Sequence, residues 1–436
     1  IVSGLESKRF SILKFYTARI KRIIPALLFL CVILLGIGWF LLAPDDYRTL
    51  AEHVRDSLFF VSNNTYRKES GYFDVLSHEK WLLHTWSLSV EWQFYIILPV
   101  ILYVAWLINQ KRSWLFSVVL IIFLYSLVSC IVKTESAPTT AFYLIKYRCW
   151  EMLAGGLIFF LPSFLKEKLP TYIGMALYTV AMLSILLPVY FISSESNWPG
   201  YLALIPVLGA AVFILINRSD VAWVNNAVVV WTGDRSYSIY LWHWPVVVLL
   251  DYFQQLSSPY MVVTGVLLSF LLAELSYRVV ENPLRKRKED TVWVLPVQVL
   301  VVSACVCLMA LGIIKFNGLP ERVDPIVVKL AAGKENMDRG KRECIYGKVH
   351  ARGPLSCSYG RGDVKAVVLG DSHAAAIVTA VQAALPRQNE KVLLWSRAAC
   401  PFIKGVTAKI DQDCNTFVEW VLSGLKNLPP DVPVVL

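Results

Sequence analysis

The sequence is poor in charge. Only 17% of its 436 residues are Asp, Glu, Lys or Arg, against 56% apolar, and a water-soluble chain of this length has no single core able to hide so much apolar mass. It has no CxxC pair, which counts against a structural zinc site, and no metal is expected. It has no basic stripe. The cations behind its net charge of +10 gather at the ends of apolar runs, a pattern of membrane topology rather than of nucleic-acid binding. No convincing internal repeat is visible of the inverted kind found in many transporters. The chain shows no secretory leader and opens at Ile1 without a Met, so its ends read as cut.

What is present is a series of apolar runs of about twenty residues, long enough at 1.5 Å per residue to cross a hydrocarbon core of about 30 Å. Nine spans are expected: one ending near Leu42, then 88–108, 114–132, 141–161, 171–191, 200–216, 237–250, 260–279 and 291–314. The 237–250 span is short, and 221–232 either extends it or lies in the interface. The basic segment SKRFSILKFYTARIKR precedes the first run, so the positive-inside rule puts this end in the cytoplasm. Alternation then places Lys111, Arg112, Lys166, Lys168, Arg218 and the Arg285–Lys288 cluster on the same side. The loops 193–199 and 251–259, which contain no Lys or Arg, fall on the other. Ala43–Leu83 is left outside, with its short apolar piece Leu58–Val61 in a helix against the bundle. The domain plan is a transmembrane domain over 1–290, a last span over 291–314, an extracytoplasmic linker over 315–362 and a further domain over 363–436.

That last domain alternates strand and helix patterns: strand 364–369, helix 374–385, strand 391–395, helix 415–427 and strand 432–436. The alternation predicts a parallel, doubly wound α/β sheet, unfinished where the chain stops. Its four cysteines, Cys344, Cys357, Cys400 and Cys414, lie in a compartment that favours disulfides, paired most simply as Cys344 with Cys357 and Cys400 with Cys414. The other five sit in or beside apolar runs as small apolar residues.

One stretch spells out reaction chemistry. In VKAVVLGDSH, Val364–Leu369 stops at Gly370 and an alanine-rich helix follows Ser372. A serine at such a turn is held out of the sheet beside helix N–H groups that stabilise an oxyanion, so Ser372 is the candidate acyl-carrying nucleophile. Ala374 stands where the G-x-S-x-G elbow has its final glycine. At the mouth of the first span, Arg19 and Arg22 are three residues apart on a helix, placed either to clamp a phosphate or to anchor the topology. Glu91, Arg148, Glu151, His243 and Glu274 lie in apolar runs or at their ends, where ionisable groups are costly unless paired or functional. Arg148 and Glu151, one turn apart, can pair with each other. His84 and His243, each flanked by Trp, fit a hydrogen-bonded interfacial histidine as well as a catalytic one.

The segments FSILKFYTARIKRIIPAL, LLHTWSLSVEWQFYIILP, YRCWEMLAGG, GDRSYSIYLWHWP and ELSYRVVENPLRKR together resemble the acyltransferase-3 family of bacterial membrane proteins. GDSHA resembles the first block of the SGNH hydrolase-like domain, a flavodoxin-like parallel sheet, that many members carry after the last span. The resemblance implies a polytopic α-helical membrane bundle followed by a partial α/β domain, seated in the bacterial inner membrane. It implies transfer of an acyl group, usually acetyl from cytoplasmic acetyl-CoA, to a glycan hydroxyl on the periplasmic side, such as lipopolysaccharide O-antigen or peptidoglycan. Acetyl-CoA is then a substrate rather than a resident cofactor, and the partners are donor, glycan acceptor and membrane lipid, with no nucleic acid. Arg19 and Arg22 match the family's R-x-x-R motif, associated with the donor, and Ser372 matches the SGNH nucleophile. Four departures stand out. A family histidine implicated in acyl transfer would precede Ile1, and the partners of Ser372 would follow Leu436. Ser396 and Arg397 stand where the second SGNH block offers glycine, and Glu91-Trp92-Gln93 replaces the usual Glu-Glu-Gln. The rival readings are an exporter with a non-catalytic outer domain and a membrane-tethered esterase.

Overall fold

The computed structural model describes residues 1–70, 77–161, 171–193, 196–216, 226–286, 294–332, 344, 356–387, 389–397, 400, 402 and 413–435. Lys166, Lys168, Arg218, Arg287 and Lys288 of the topology argument lie outside these. The chain divides into two compact units, Ile1–Val323 and Asp324–Leu436.

The regular elements described in unit 1 are all helices, beginning with the short α1, Val2–Glu6. Six of its helices are long and apolar enough to cross a membrane: α2 over Ile12–Leu41, α5 over Thr85–Ile108, α6 over Arg112–Ser136, the apolar part Tyr172–Phe191 of α9, the run Pro259–Lys286, and α14 over Val294–Lys315. A helix pairs every interior backbone group with its own chain, the condition hydrocarbon imposes. The remaining expected spans take other forms. The 141–161 stretch breaks at Leu144 (ψ 135°) into α7, Pro138–Tyr143, and α8, Ile145–Ile158. The 200–216 stretch is a short 3-10 turn followed by α10, Leu204–Ile216. The short 237–250 span is the end of a 26-residue helix, α11, Ala227–Tyr252, about 39 Å long. Asp234 and Arg235 interrupt its apolar pattern without interrupting the helix. The run Pro259–Lys286 consists of α12, Pro259–Ser276, a π-helical turn over Tyr277–Glu281, and α13, Asn282–Lys286.

The hub is α2. Its central window is 61% buried, against 17–28% for the other five, because Leu27, Leu30 and Leu34 recur at helical spacing and are at most 2% exposed. The outer helices turn large apolar side chains outward, with Val189 82% and Tyr260 86% exposed. Surface of that kind suits lipid and would aggregate in water. The stretch left outside the bundle forms α3, Pro44–Leu58, and α4, Ser62–Lys68. Tyr47 of α3 donates to Leu35 O (3.1 Å). Arg322 stacks on Tyr47 at 4.5 Å and donates to the last carbonyls of α2, Trp39 O and Leu42 O. A guanidinium there meets both the free carbonyls and the negative end of the helix dipole.

In unit 2 the sheet order is β1-β3-β2-β4. The strands are β1 Cys357–Gly360, β2 Asp363–Gly370, β3 Glu390–Ser396 and β4 Val434–Val435. β2 pairs in parallel with β3 and β4. β1, in the stretch read as linker, adds an antiparallel edge to β3 and makes the sheet mixed. Side-chain alternation in β2 feeds two cores. Val367 and Leu369 pack with Phe417 and Val421 of α17, Asp413–Leu425. Ala366 and Val368 pack with Val378 of α16, Ser372–Ala383. A strand covered on both faces is what the apolar run Ala366–Leu369 demands. Disulfides join Cys344 to Cys357 and Cys400 to Cys414, with Cα separations of 6.0 and 5.4 Å. The helix α15, Pro325–Ala332, opens the unit.

The turn after α14 presses on the start of α3. Gly318 has φ +74°, and a Cβ there would lie 1.7 Å from Pro44 O. Gly318→Ala is therefore expected to cost about 2 kcal/mol or more, through both strain and collision. Gly36→Ala, with nothing within 4 Å of its new methyl, is expected to be neutral or stabilising by up to about 1 kcal/mol. Thermal unfolding of the detergent-solubilised variants checks both.

Candidate active site

Along α5 and its N-cap, His84, Ser87, Glu91 and Tyr95 recur at spacings of three, four and four residues. They share one face and form a polar stripe about 16 Å long. At one end the Tyr95 hydroxyl donates to Glu91, and the Arg19 guanidinium lies 4.8 Å from the Tyr95 ring and 5.2 Å from Phe15. Arg19 Nε is buried with no hydrogen-bond partner among the described residues. Arg22 follows one turn on along α2, and the buried Glu281 carboxylate accepts from Ser238 Oγ (2.7 Å).

At the other end Tyr240 of α11 donates to His84 O (2.5 Å), and Ser87 Oγ lies 2.5 Å from the Tyr240 hydroxyl. The imidazoles of His84 and His243 face each other at 5.8 Å. His243 Nδ1 is 2.6 Å from Tyr240 O. A carbonyl only accepts, so that nitrogen carries the hydrogen. His84 is 6% exposed, and neither ring nitrogen makes a well-aligned hydrogen bond among the described residues, although the Leu241 backbone lies close to the ring.

The remaining ionisable candidates lie apart from the stripe's two ends. Arg148 Nη1 and Glu151 Oε1 are 3.0 Å apart. They are not aligned for a hydrogen bond, so each buried atom keeps unused hydrogen-bonding capacity. The Arg148 guanidinium sits 5.5 Å from Trp86 and 5.4 Å from Phe142. Glu274 is bound by Arg235 of α11 and by Arg278, and Arg235 is stacked between Trp231 (4.4 Å) and Tyr277 (4.6 Å). That arrangement is a helix-to-helix brace. Sequence reasoning missed Tyr95, Ser87, Tyr240 and Glu281. The first two were accessible from the helical period counted four residues either way from Glu91. Tyr240 and Glu281 belong to other helices and carry no local signal.

In unit 2, Ser372 is the first residue of α16, directly after β2 and the N-cap Asp371. Asp371 Oδ1 accepts from His373 N (2.9 Å) and Asp371 O from Ala375 N (3.3 Å). The N–H groups of Ser372 and Ala374 have no acceptor among the described residues, and free first-turn donors of this kind suit an anion. The β3 end that lies beside this turn is already engaged. Arg397 N donates to Gly370 O (3.1 Å), and Ser396 Oγ to Cys344 O (3.3 Å). His373 is exposed, and no carboxylate or imidazole among the described residues hydrogen-bonds Ser372.

An acyltransferase domain model matches residues 1–278, and a model of the SGNH domain fused to such domains matches 343–436. The chain belongs to the acyltransferase-3 family, and with its six long apolar helices it is a multi-pass membrane protein. It is 32% identical over 295 residues to a putative O-acetyltransferase of Staphylococcus aureus (strain COL), covering 62% of this chain and 47% of that one. It is 31% identical over 290 residues to the putative peptidoglycan O-acetyltransferase YrhL of Bacillus subtilis, covering 62% and 45%. It is 27% identical over 300 residues to the O-acetyltransferase OatA of Staphylococcus aureus (strain NCTC 8325), covering 65% and 49%. The chain thus spans about half the length of these relatives. No solved structure matches.

Glu151→Ala strands a buried guanidinium and is expected to destabilise by about 3 kcal/mol, whereas Arg148→Met with Glu151→Leu removes both charges and costs about 1 kcal/mol or less. Thermal melts of the three proteins in detergent decide this, since a pair important only for chemistry would leave all three melting together.

Proposed function

We propose that this chain is an O-acetyltransferase of the bacterial inner membrane, moving acetyl from cytoplasmic acetyl-CoA to a hydroxyl of a cell-surface glycan. The observation that carries the reading is the α5 stripe, an internal line of nucleophilic, basic and acidic groups that runs from the Arg19–Arg22 end to the paired histidines. Two guanidiniums three residues apart suit the phosphates of a coenzyme, and the aromatic faces around Arg19 hold one of them in place. Lys111, Arg112, Arg285 and Lys286 flank apolar helices under a topology that puts this end in the cytoplasm and unit 2 in the periplasm.

The second stage of the reaction belongs to Ser372. Its Oγ attacks the acyl carbonyl, the bond to the incoming carrier breaks, and the hydroxyl proton leaves to a base. The free N–H groups of Ser372 and Ala374 sit where the oxyanion forms. Attack by an acceptor hydroxyl then releases the serine and leaves the glycan ester. The disulfides of unit 2 fit an oxidising compartment. The name of the Bacillus relative favours peptidoglycan over O-antigen as the acceptor.

Ser372→Ala in the full-length protein is expected to lower surface-glycan O-acetylation by about a hundredfold or more, read as alkali-released acetate from purified wall material. Unchanged acetate would remove Ser372 from the mechanism. Arg19→Ala with Arg22→Ala is expected to raise KM for acetyl-CoA by about tenfold or more. An unaltered KM would return the two arginines to the role of topology anchors.

A further inference from the structure

Arg19 is held by aromatic rings. Its guanidinium lies 4.8 Å from the Tyr95 ring and 5.2 Å from Phe15, and those two rings meet edge to face at 6.3 Å. We propose that Tyr95 is a positioning residue for the acyl donor: it acts through Arg19, and the role of Glu91 is to hold Tyr95 in place. The proposal rests on the O-acetyltransferase reading and adds to it the roles of two residues.

The first argument is what such a clamp leaves free. A guanidinium carries its N–H donors around its edge, and an aromatic ring engages its face. A carboxylate partner would take up that edge in bidentate fashion and compete with a phosphate for it. Glu91, one turn before Tyr95 on α5, instead accepts from the Tyr95 hydroxyl. Arg19 Nε has no hydrogen-bond partner among the described residues, so this part of the edge stays open. A phenol that donates a hydrogen bond gains electron density in its ring, so the bond to Glu91 also strengthens the pull on the cation.

The second argument is how firmly Tyr95 is set. Trp92 stacks on Phe60 with ring centroids 4.5 Å apart and planes 15° from parallel. Gln93 Nε2 donates to Phe60 O (2.9 Å) and to Asn63 Oδ1 (3.0 Å). On the other side of Tyr95, Ile96 O accepts from the Tyr16 hydroxyl (2.9 Å), which ties α5 to the start of α2 beside Phe15. α5 cannot turn the Tyr95 ring away from Arg19 without breaking these contacts. Trp92 stands where the family's usual motif has a second acid, and its stack on Phe60 puts packing in place of that charge.

The test uses the whole chain in lipid nanodiscs, titrated with acetyl-CoA and read by calorimetry. Tyr95→Leu loses ring and hydroxyl and is expected to weaken binding by about tenfold or more. Tyr95→Phe keeps the ring without its tether, and Glu91→Leu removes the tether from the other side; each is expected to cost about threefold. Glu91→Gln still offers Tyr95 an acceptor and is expected to bind within about twofold of the parent. Arg19→Ala supplies the decisive background, because Arg22 remains to keep binding measurable. There Tyr95→Leu is expected to add less than about twofold, since a residue that acts through Arg19 has nothing left to act on. In turnover Tyr95→Leu should raise KM for acetyl-CoA and leave kcat within about twofold. Should Tyr95→Leu fail to fold, Tyr95→Phe and Glu91→Leu serve in the same cycle. Parent-like binding by Tyr95→Leu, an equal loss with and without Arg19, or a Glu91→Gln as weak as Glu91→Leu would each overturn the proposal. A parent that binds no acetyl-CoA would overturn the donor reading and the proposal with it. Binding without acetyl transfer would overturn the reaction assigned above and leave the clamp standing.

Discussion

The structure of unit 1 depends on one constraint: a polar group placed among apolar helices has no water to satisfy it, and must find a partner inside the protein or be held for a ligand. Most groups here meet the first condition. Arg322 closes the end of α2 and stacks on Tyr47. Glu274 lies between two arginines. Hydroxyls link α3 and α4 to α5 through Ser57 with Thr85 (2.7 Å) and Ser62 with Ser89 (2.8 Å). Each of these ties helices distant in sequence, so satisfying the polar groups and fixing the bundle are one process.

The constraint also explains what could be read from the chain and what could not. Runs of about twenty apolar residues identify membrane helices because hydrocarbon thickness imposes their length. That is why α2, α6 and α14 were legible. α11 was half-hidden, since Asp234 and Arg235 lower its hydropathy although Arg235 is neutralised by a residue 39 positions away. The break at Leu144 was invisible, because no proline or glycine occupies it. In unit 2, β2 and β3 announced themselves through the short apolar runs Ala366–Leu369 and Val392–Trp395. β1 did not, because Cys357–Gly360 has no strand pattern of its own and becomes a strand only by pairing with β3.

The site was legible in the same uneven way. GDS after an apolar strand located Ser372, because the turn that presents a nucleophile is a local feature of sequence. Arg19, Glu91 and His243 were noticed as isolated charges or rings in apolar surroundings. Their grouping came from helix packing: Arg19 joins Glu91 only through the Tyr95 ring and hydroxyl, and His243 acquires its meaning from His84 across two helices. Arg148 and Glu151, which looked equally functional, prove to be partners of each other.

The distribution of unmet hydrogen bonds carries the argument further. A folded interior leaves few buried polar atoms without partners, and each exception calls for a reason. Here, among the described residues, they include Arg19 Nε at one end of the α5 stripe and both nitrogens of His84 at the other. Leaving both ends open costs stability of about 1–3 kcal/mol per group. Arg19 and His84 stand at the two ends of the α5 stripe, with Tyr95 bonded to Glu91 and Ser87 to Tyr240 between them, an arrangement that suits a path taking up a ligand at one end and delivering it at the other.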